Sequence, residues 1–216
     1  MTRRRRRSSE PRWPASVAVL VALVLYVVLP KALVIQPRWL FPALEAALLI
    51  PLSFGRPDRR TEDLVARGLT VVLIVLVNVT NAVSVGLLVA HLLNGEPTKG
   101  TNLIFSAVSI WATNVIVYGL WFWELDRGGP GVRATERERN PDFLYPQMTS
   151  PDVAPEGWRP SFLDYLYVAF TNATAFSPTD TMPLTPVAKA LMSVESLVAL
   201  ITVVVVAARA VNILTG

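Results

Sequence analysis

The C-terminal stretch from Phe162 to Arg209 strongly limits the folds that the chain can adopt. It joins a short helix, a non-helical link and a long apolar segment. The aromatic helix, Phe162 to about Asn172, has about a dozen residues, too few to cross about 30 Å of hydrocarbon, whereas about 23 residues from Ala188 suffice. This order predicts a re-entrant hairpin before a full span. Backbone at membrane depth survives only when protein or a water-filled cavity surrounds it.

Nine positions in this stretch carry a pattern that is similar to the pore module of the potassium channel family. That module has a pore helix, a Thr-Val-Gly-Tyr-Gly-Asp filter, a Pro-x-Thr-Pro turn and an inner helix. Aligned without gaps, the positions with the same or a similar residue are Phe170, Thr174, Asp180, Pro183, Thr185, Pro186, Lys189, Leu191 and Glu195. The resemblance covers roughly the last 50 of the 216 residues. It implies a channel-like fold, a homo-oligomer that is a tetramer if channel-like, and monovalent cations as ligands.

The filter segment departs from that pattern. Both glycines are lost, although they permit the unusual backbone that points a run of carbonyls at the pore axis. Pro178 also has its φ fixed near −65°. The residues in filter-like positions are Thr174, Ala175, Phe176, Ser177, Pro178, Thr179 and Asp180.

Two functions follow from this altered filter. The first is a weakly selective cation pathway, in which hydroxyls and the Asp180 carboxylate replace part of a cation's hydration shell. The alternative is a non-conducting scaffold or accessory subunit that keeps the pore-loop fold. Phe176 and Pro178 favour this alternative.

Composition supports the membrane class. Hydrophobic residues make up 52% of the chain in several long runs, which predicts an all-α integral membrane protein. The net charge of +4 comes from a tail and loops rather than from a basic folded face, so we expect a lipid-bilayer partner and no nucleic acid. With no cysteine and one histidine, His91, we expect no metal site, and no motif suggests a cofactor.

The chain divides into four predicted parts. Residues 1–14 form a basic cytoplasmic tail with five consecutive arginines, and residues 15–124 form a four-helix membrane bundle. The second segment of that bundle, 39–54, is marginal for a span because it is short and contains Pro42, Glu45 and Pro51. Residues 125–160 form a polar loop, and 161–213 form the pore-loop-like hairpin and the last helix. We therefore expect about five transmembrane helices in a multi-pass protein of the plasma or inner membrane.

Several polar residues fall inside the predicted spans. Asn78, Asn81 and Ser84 are spaced by three and share one helix face, which should point into the bundle as interhelical glue or as the lining of a hydrated path. The intramembrane polar candidates are Asn78, Asn81, Asn114 and Glu195. We interpret the charged cluster after Trp123, formed by Glu124, Asp126 and Arg127, as interfacial and solvated.

The polar loop is charged and rich in proline from Gly128 to Pro160. A connection of this length is usually functional or disordered. Its second half carries apolar side chains that can fold back onto the membrane surface, namely Phe143, Tyr145, Met148 and Trp158.

Topology depends on segment 39–54. If it crosses, fifteen of the 20 lysine and arginine residues lie in the cytoplasm, and the pore loop opens on the cytoplasmic face. If it does not cross, the loop opens outside as in potassium channels, but most of the basic loops are outside too. The positive-inside rule favours the first arrangement.

A membrane enzyme is the remaining class. It would need an acid and a base held together near the hairpin, where the ionisable residues are Asp164, Asp180, Lys189 and Glu195. Each has a plainer role as a helix start, a turn cap or an ion-pair partner, so we expect no enzyme activity and no catalytic residue.

Overall fold

The computed structural model describes the backbone of residues 10–54, 60–95, 100–133, 139–174 and 180–215. Side chains are described within 10–49, 65–95, 100–133, 139–174 and 180–208. These residues are mostly helical, as expected. The elements are α1 (Trp13–Val28), α2 (Leu40–Phe54), α3 (Arg60–Leu93), α4 (Gly100–Leu125), α5 (Pro130–Arg133), β1 (Phe143–Leu144), α6 (Pro146–Thr149), α7 (Phe162–Thr174), β2 (Met182–Pro183) and α8 (Pro186–Thr215).

Three helices of the described chain are long and apolar enough to cross a membrane, over Val65–Leu93, Gly100–Gly128 and Pro186–Ala208. Such segments cannot remain in water as exposed helices, so this result confirms the expected helical membrane class. Two further helices are apolar but shorter, over Trp13–Val28 and Leu40–Leu49. Crossing by these two, which would give five spans, stays a prediction.

Helix α4 is the centre of the bundle and packs against α1, α3, α7 and α8. It is buried on every side from Thr113 to Leu120, as a helix surrounded by other helices should be. Gly119 lets α7 approach closely, because a Cβ at that position would lie 3.1 Å from both Cα and Cδ1 of Leu166. Small residues allow this kind of backbone contact between membrane helices.

Two apolar clusters mark the two ends of the bundle. We call the end where α4 finishes the tail end, because Glu10 lies there and bonds to Trp123. At the opposite end, Tyr26 and Leu29 of α1 pack with Leu92 and Leu103. Helix α1 therefore runs from one end of the bundle to the other.

Helix α2 runs back along α1 and α3. Arg38, just before α2, donates to the carbonyl of Val27 at the end of α1, whereas Leu49 belongs to the same cluster as Ala15 and Leu73 near the tail end. The break between α1 and α2 follows from Pro30. A residue that precedes proline is pushed into an extended conformation, and Leu29, directly after α1, has ψ of 148°.

The connection from α4 to α7 is folded over much of its described length. A 3₁₀ turn (Asp126–Gly128) follows α4 directly, and β1 pairs with β2 in antiparallel fashion, Phe143 opposite Pro183. The aromatic anchors predicted for this loop are packed on the bundle, with ring centroids of Phe143 and Phe122 5.0 Å apart and those of Tyr145 and Trp158 5.6 Å apart. The loop thus forms a cap over the tail end.

Candidate functional site

The structure describes both stems of the predicted pore loop. Thr174 is the last residue of α7, half-buried, and its hydroxyl donates to the carbonyl of Thr171 at 2.9 Å. Asp180 is exposed where the described chain resumes. The predicted filter residues Ala175, Phe176, Ser177, Pro178 and Thr179 lie outside the described residues.

Helix α7 starts at the tail end and finishes partway along the bundle. Its first residue, Phe162, stacks edge-on against Trp123 near the end of α4, with centroids 6.1 Å apart. Eight residues later Phe170 meets Trp111, near the middle of α4, at 5.8 Å. A helix of 13 residues is about 20 Å long. Its C-terminus therefore lies at the level of the middle of α4.

The chain returns to the tail end after the loop. The amide of Leu184 donates to the carbonyl of Asp142 at 2.8 Å, next to the β1–β2 pair. Thr185 caps α8: its hydroxyl donates to Asp142 Oδ1 at 2.8 Å and accepts the amide of Ala188 at 3.3 Å. The starts of α7 and α8 thus both lie at the tail end.

At the level where α7 ends, three elements bring polar side chains together. Glu195 of α8 is fully buried, and its Oε2 accepts a hydrogen bond from Asn172 Nδ2 at 2.7 Å. Asn172 Nδ2 also lies 2.8 Å from the carbonyl of Met192, and Asn114 Nδ2 of α4 donates to the carbonyl of Glu195 at 3.3 Å. We call Asn114, Asn172 and Glu195 the mid-bundle cluster.

One oxygen of this cluster lacks a hydrogen bond. Glu195 Oε1 is buried and has no partner in the described protein. A buried carboxyl oxygen of this kind is costly unless water, an ion or a proton satisfies it, and native structures contain few such groups. The predicted residues Asn114 and Glu195 are therefore brought together, as expected for intramembrane polar groups that face a bundle.

The predicted polar face of α3 points inward as well. Asn81 and Ser84 are buried, and the side chain of Asn78 lies near the hydroxyl of Tyr118 of α4. Tyr118 in turn interacts electrostatically with Glu195. Asn78 is thereby linked electrostatically, through Tyr118, to the mid-bundle cluster.

The interpretation of Glu124, Asp126 and Arg127 as a solvated cluster is wrong for the two acids. Glu124 is 4% exposed and pairs with Arg67 of α3 at 3.1 Å, and Asp126 is 0% exposed. The connection after α4 folds back over them, and Gly129, with φ of +92°, makes room because a Cβ there would lie 2.8 Å from Glu124 Oε1. Sequence hydropathy could not predict the burial of the two acids, because the residues that pair with them are distant in sequence.

Asp126 joins three elements at the tail end. Its Oδ2 accepts the hydroxyl of Tyr165 of α7 at 2.6 Å, and its Oδ1 accepts the amide of Asp142 at 2.8 Å. Asp142 Oδ2 in turn accepts the amide of Arg127 at 2.9 Å. These bonds fix the start of α7 and the β1 connection to the end of α4.

Arg133 attaches the N-terminal tail to the same network. Its guanidinium donates to the carbonyls of Trp123 and Asp126 at 2.7 and 2.8 Å and to Glu10 Oε2 at 2.8 Å. The indole of Trp123 donates to Glu10 Oε1 at 2.7 Å. We call Glu10, Asp126, Arg133, Asp142 and Tyr165 the tail-end network.

The protonation states in the network agree with these bonds. Burial lowers the pKa of Arg133, but Tyr165, Glu10 and Asp126 raise it by more, so the net shift is upward and Arg133 stays charged. Burial raises the pKa of the Tyr145 hydroxyl beside this network, and the Asp126 and Asp164 carboxylates raise it further. Tyr145 therefore stays neutral at physiological pH. The network holds one buried cation between carboxylates.

Sequence reasoning missed Glu10, Arg133, Asp142, Tyr165 and Asn172. Asn172 carried a usable signal, because an amide near the end of a helix too short to span must find a partner. The others are ordinary loop and interface residues, and only the packing brings them together.

Comparisons with protein-family models, with curated proteins and with solved structures give no match for this chain.

Proposed function

We propose that this chain is a channel-like membrane protein whose pore module is formed by α4, α7 and α8. The observation that carries the proposal is the course of α7. This helix enters at the tail end, stops beside the mid-bundle cluster, and is followed by a chain that returns to the same end. A helix about 20 Å long followed by a return supports the proposed re-entrant hairpin.

The ligands proposed for this module are monovalent cations. Thr174 closes α7, and Glu195 lies at the same level with one unsatisfied oxygen. Hydroxyl and carboxylate oxygens can replace part of a cation's hydration shell, and the lost filter glycines argue for weak selectivity. Asp180 adds a carboxylate at the exposed stem.

The proposed topology has five crossings, with the N-terminus and the pore loop in the cytoplasm. Support comes from Glu10, Arg67 and Arg133, which all lie at the tail end. Because α1 runs from the tail end to the opposite end and α2 runs back, both helices fit the same two membrane surfaces as α3, α4 and α8. A homo-oligomer is proposed because α7 and α8 expose many large apolar side chains: Leu163, Tyr167, Phe170, Val194, Leu197, Leu200, Ile201, Val203 and Val204.

The second candidate is a non-conducting scaffold or accessory subunit. It is favoured by the exposed side of α8, which is almost entirely apolar in its second half. A pore lined by such a face would expel water, and hydrophobic constrictions close channels in this way.

A flux assay separates the two candidates. Purified protein in liposomes is given a potassium gradient, a sodium gradient or none, beside the Asp180→Asn variant and the exposed-loop control Asp152→Asn. We expect a weakly selective cation leak that Asp180→Asn reduces at least threefold and Asp152→Asn leaves unchanged. Silence under all conditions would establish the scaffold candidate, and strong potassium selectivity would contradict our reading of the filter.

The topology is tested by labelling, since the chain has no cysteine. Single cysteines at Ser9, Thr135 and Thr98 are treated with an impermeant maleimide on intact cells. We expect Thr98→Cys to react and the other two to react only after permeabilisation. Labelling of Thr135→Cys on intact cells would overturn the proposed orientation.

A further inference from the structure

A second buried carboxyl lies outside the proposed pore module, between α2 and α3. Glu45 of α2 is 1% exposed, in the middle of an apolar helix. The hydroxyl oxygen of Thr80 lies 3.5 Å from Glu45 Oε1, but its proton is donated to the carbonyl of Val77 at 2.9 Å. A separation of 3.5 Å is long for an O–H···O bond, so Thr80 satisfies the carboxylate poorly. An intramembrane acid in this condition indicates a functional site.

An unpartnered hydroxyl lies one helical turn from Thr80. Ser84 is 1% exposed, and its Oγ has no hydrogen-bond partner in the described protein. Other hydroxyls in the helices of the bundle donate to a backbone carbonyl three or four residues earlier, as Ser106 and Thr113 of α4 and Thr202 of α8 do. Such a bond is the default for serine or threonine within a helix. Ser84 lacks it although no solvent reaches its hydroxyl.

Helix geometry places these groups together. Thr80 and Ser84 are four residues apart and Asn81 and Ser84 three apart, so they are neighbours on the surface of α3. All three are at most 5% exposed. Glu45 meets this surface of α3 at Thr80, and Tyr26 of α1 interacts electrostatically with Glu45.

The charge of this group indicates which class of ligand it would bind. One carboxylate carries one negative charge, and the described chain records no salt bridge to Glu45 within 4 Å. Arg38, which precedes α2, interacts electrostatically with Tyr26. A single positive charge neutralises the group, and carboxylate, hydroxyl and amide oxygens are ligands that hard cations prefer.

We propose that Glu45, Thr80, Asn81 and Ser84 form a binding site for one alkali-metal cation within the bundle. Glu45 supplies the charge, and Ser84 Oγ supplies an oxygen that has no other partner. The site belongs to α2 and α3 and does not depend on the proposed pore module. A flux assay that shows no conduction therefore does not contradict the cation site. Failure of the cation site likewise does not contradict the pore module.

Carbodiimide labelling tests the site. A carbodiimide modifies a protonated carboxyl in an apolar setting, whereas a bound cation keeps the carboxyl ionised and unreactive. Full-length protein is labelled in choline chloride, sodium chloride or potassium chloride at constant ionic strength. Modification of Glu45 and Glu195 is then quantified separately by peptide mass spectrometry. We expect sodium or potassium to slow modification of Glu45 at least fivefold, and the more protective salt identifies the preferred ion.

Two variants sharpen this experiment. Ser84→Ala should raise the half-protective cation concentration about tenfold while labelling in choline is unchanged. The control Ser106→Ala removes a hydroxyl that is already bonded to the carbonyl of Asn102, and it should leave protection as in the original chain. Glu195 is analysed separately, because the proposed pore module also presents that carboxyl to cations. A Ser84→Ala variant with the same half-protective concentration for Glu45 as the original chain would mean a general salt effect and would overturn the proposal.

Modification of Glu45 at the same measurable rate in all three salts would also overturn the proposed cation site. If Glu45 proves unreactive in every salt, thermal stability in detergent decides. The proposal requires sodium or potassium to raise the melting temperature relative to choline, and Glu45→Gln to abolish that increase. A melting temperature that does not depend on the cation refutes the site.

Discussion

Asp126 and Glu195 are both completely buried, yet their surroundings differ. Both oxygens of Asp126 accept hydrogen bonds, from Tyr165 and from the amide of Asp142. Only one oxygen of Glu195 does, from Asn172. Burial by itself therefore does not separate a structural carboxylate from a functional one. We propose that the number of unsatisfied oxygens does, because a satisfied group has nothing left to offer a ligand.

The two carboxylates also differ in what they connect. Asp126 joins α4 to α7 and to the loop before β1, and Arg127, whose Nε lies 3.7 Å from Asp126 Oδ2, supplies a balancing charge. Glu195 joins α7 to α8 beside the predicted pore loop. We infer that the tail-end network holds the pore module in position, and that the mid-bundle cluster takes part in what the module does.

The largest effect is expected for Asp126→Ala. It leaves the Tyr165 hydroxyl and the Asp142 amide buried without a partner, and removing one partner of a buried charged network costs about 3–5 kcal/mol. The melting temperature in detergent should fall by many degrees. Asp152→Ala, at an exposed loop position, is the control. Equal melting temperatures for the two variants would show that Asp126 is not structural.

Tyr165→Phe should have the next largest effect. It removes the 2.6 Å bond to Asp126 without changing the shape of the side chain, and a buried hydrogen bond to a charged group contributes about 1.5–3 kcal/mol. Tyr167→Phe on the exposed side of the same helix is the matched control and should be neutral. Thermal unfolding of both variants measures the difference.

Gly119→Ala tests the close contact between α4 and α7. The added Cβ would lie 3.1 Å from backbone and side-chain atoms of Leu166, so α7 must move away from α4 at a cost of about 1–3 kcal/mol. Gly86→Ala on α3 meets nothing within 4 Å and should be neutral or slightly stabilising. A Gly119→Ala variant as stable as Gly86→Ala would contradict this account of the packing.

The smallest effect on stability is expected for Glu195→Leu. It removes a carboxyl that is only half satisfied, and replacing a buried charge by an apolar residue of similar size is often neutral or stabilising. We expect the variant to fold, with cation flux lost. Glu195→Gln keeps an acceptor for Asn172 and is the companion variant. If Glu195→Leu unfolds the protein instead, the residue is structural and the contrast with Asp126 disappears.

The helices and their approximate positions could be predicted from local sequence. The long apolar segments became α3, α4 and α8, and the helix predicted from Phe162 to about Asn172 became α7. Asn81 and Ser84, which share one face of a helix by their spacing, are buried. These features depend on apolar spacing and segment length, which are properties of neighbouring residues.

The sequence by itself determined the membrane class, the long helices and the short helix that cannot span. Only the tertiary structure decided which polar groups meet. Glu10 bonds to Trp123 and Arg133, more than one hundred positions away, and Glu45 meets Thr80 across two helices. Apolar patterning specifies which side of a helix is buried but not the partner that covers it. The partner of each buried charge is set by how the helices dock and how the connections fold over their ends, and no local pattern contains that information.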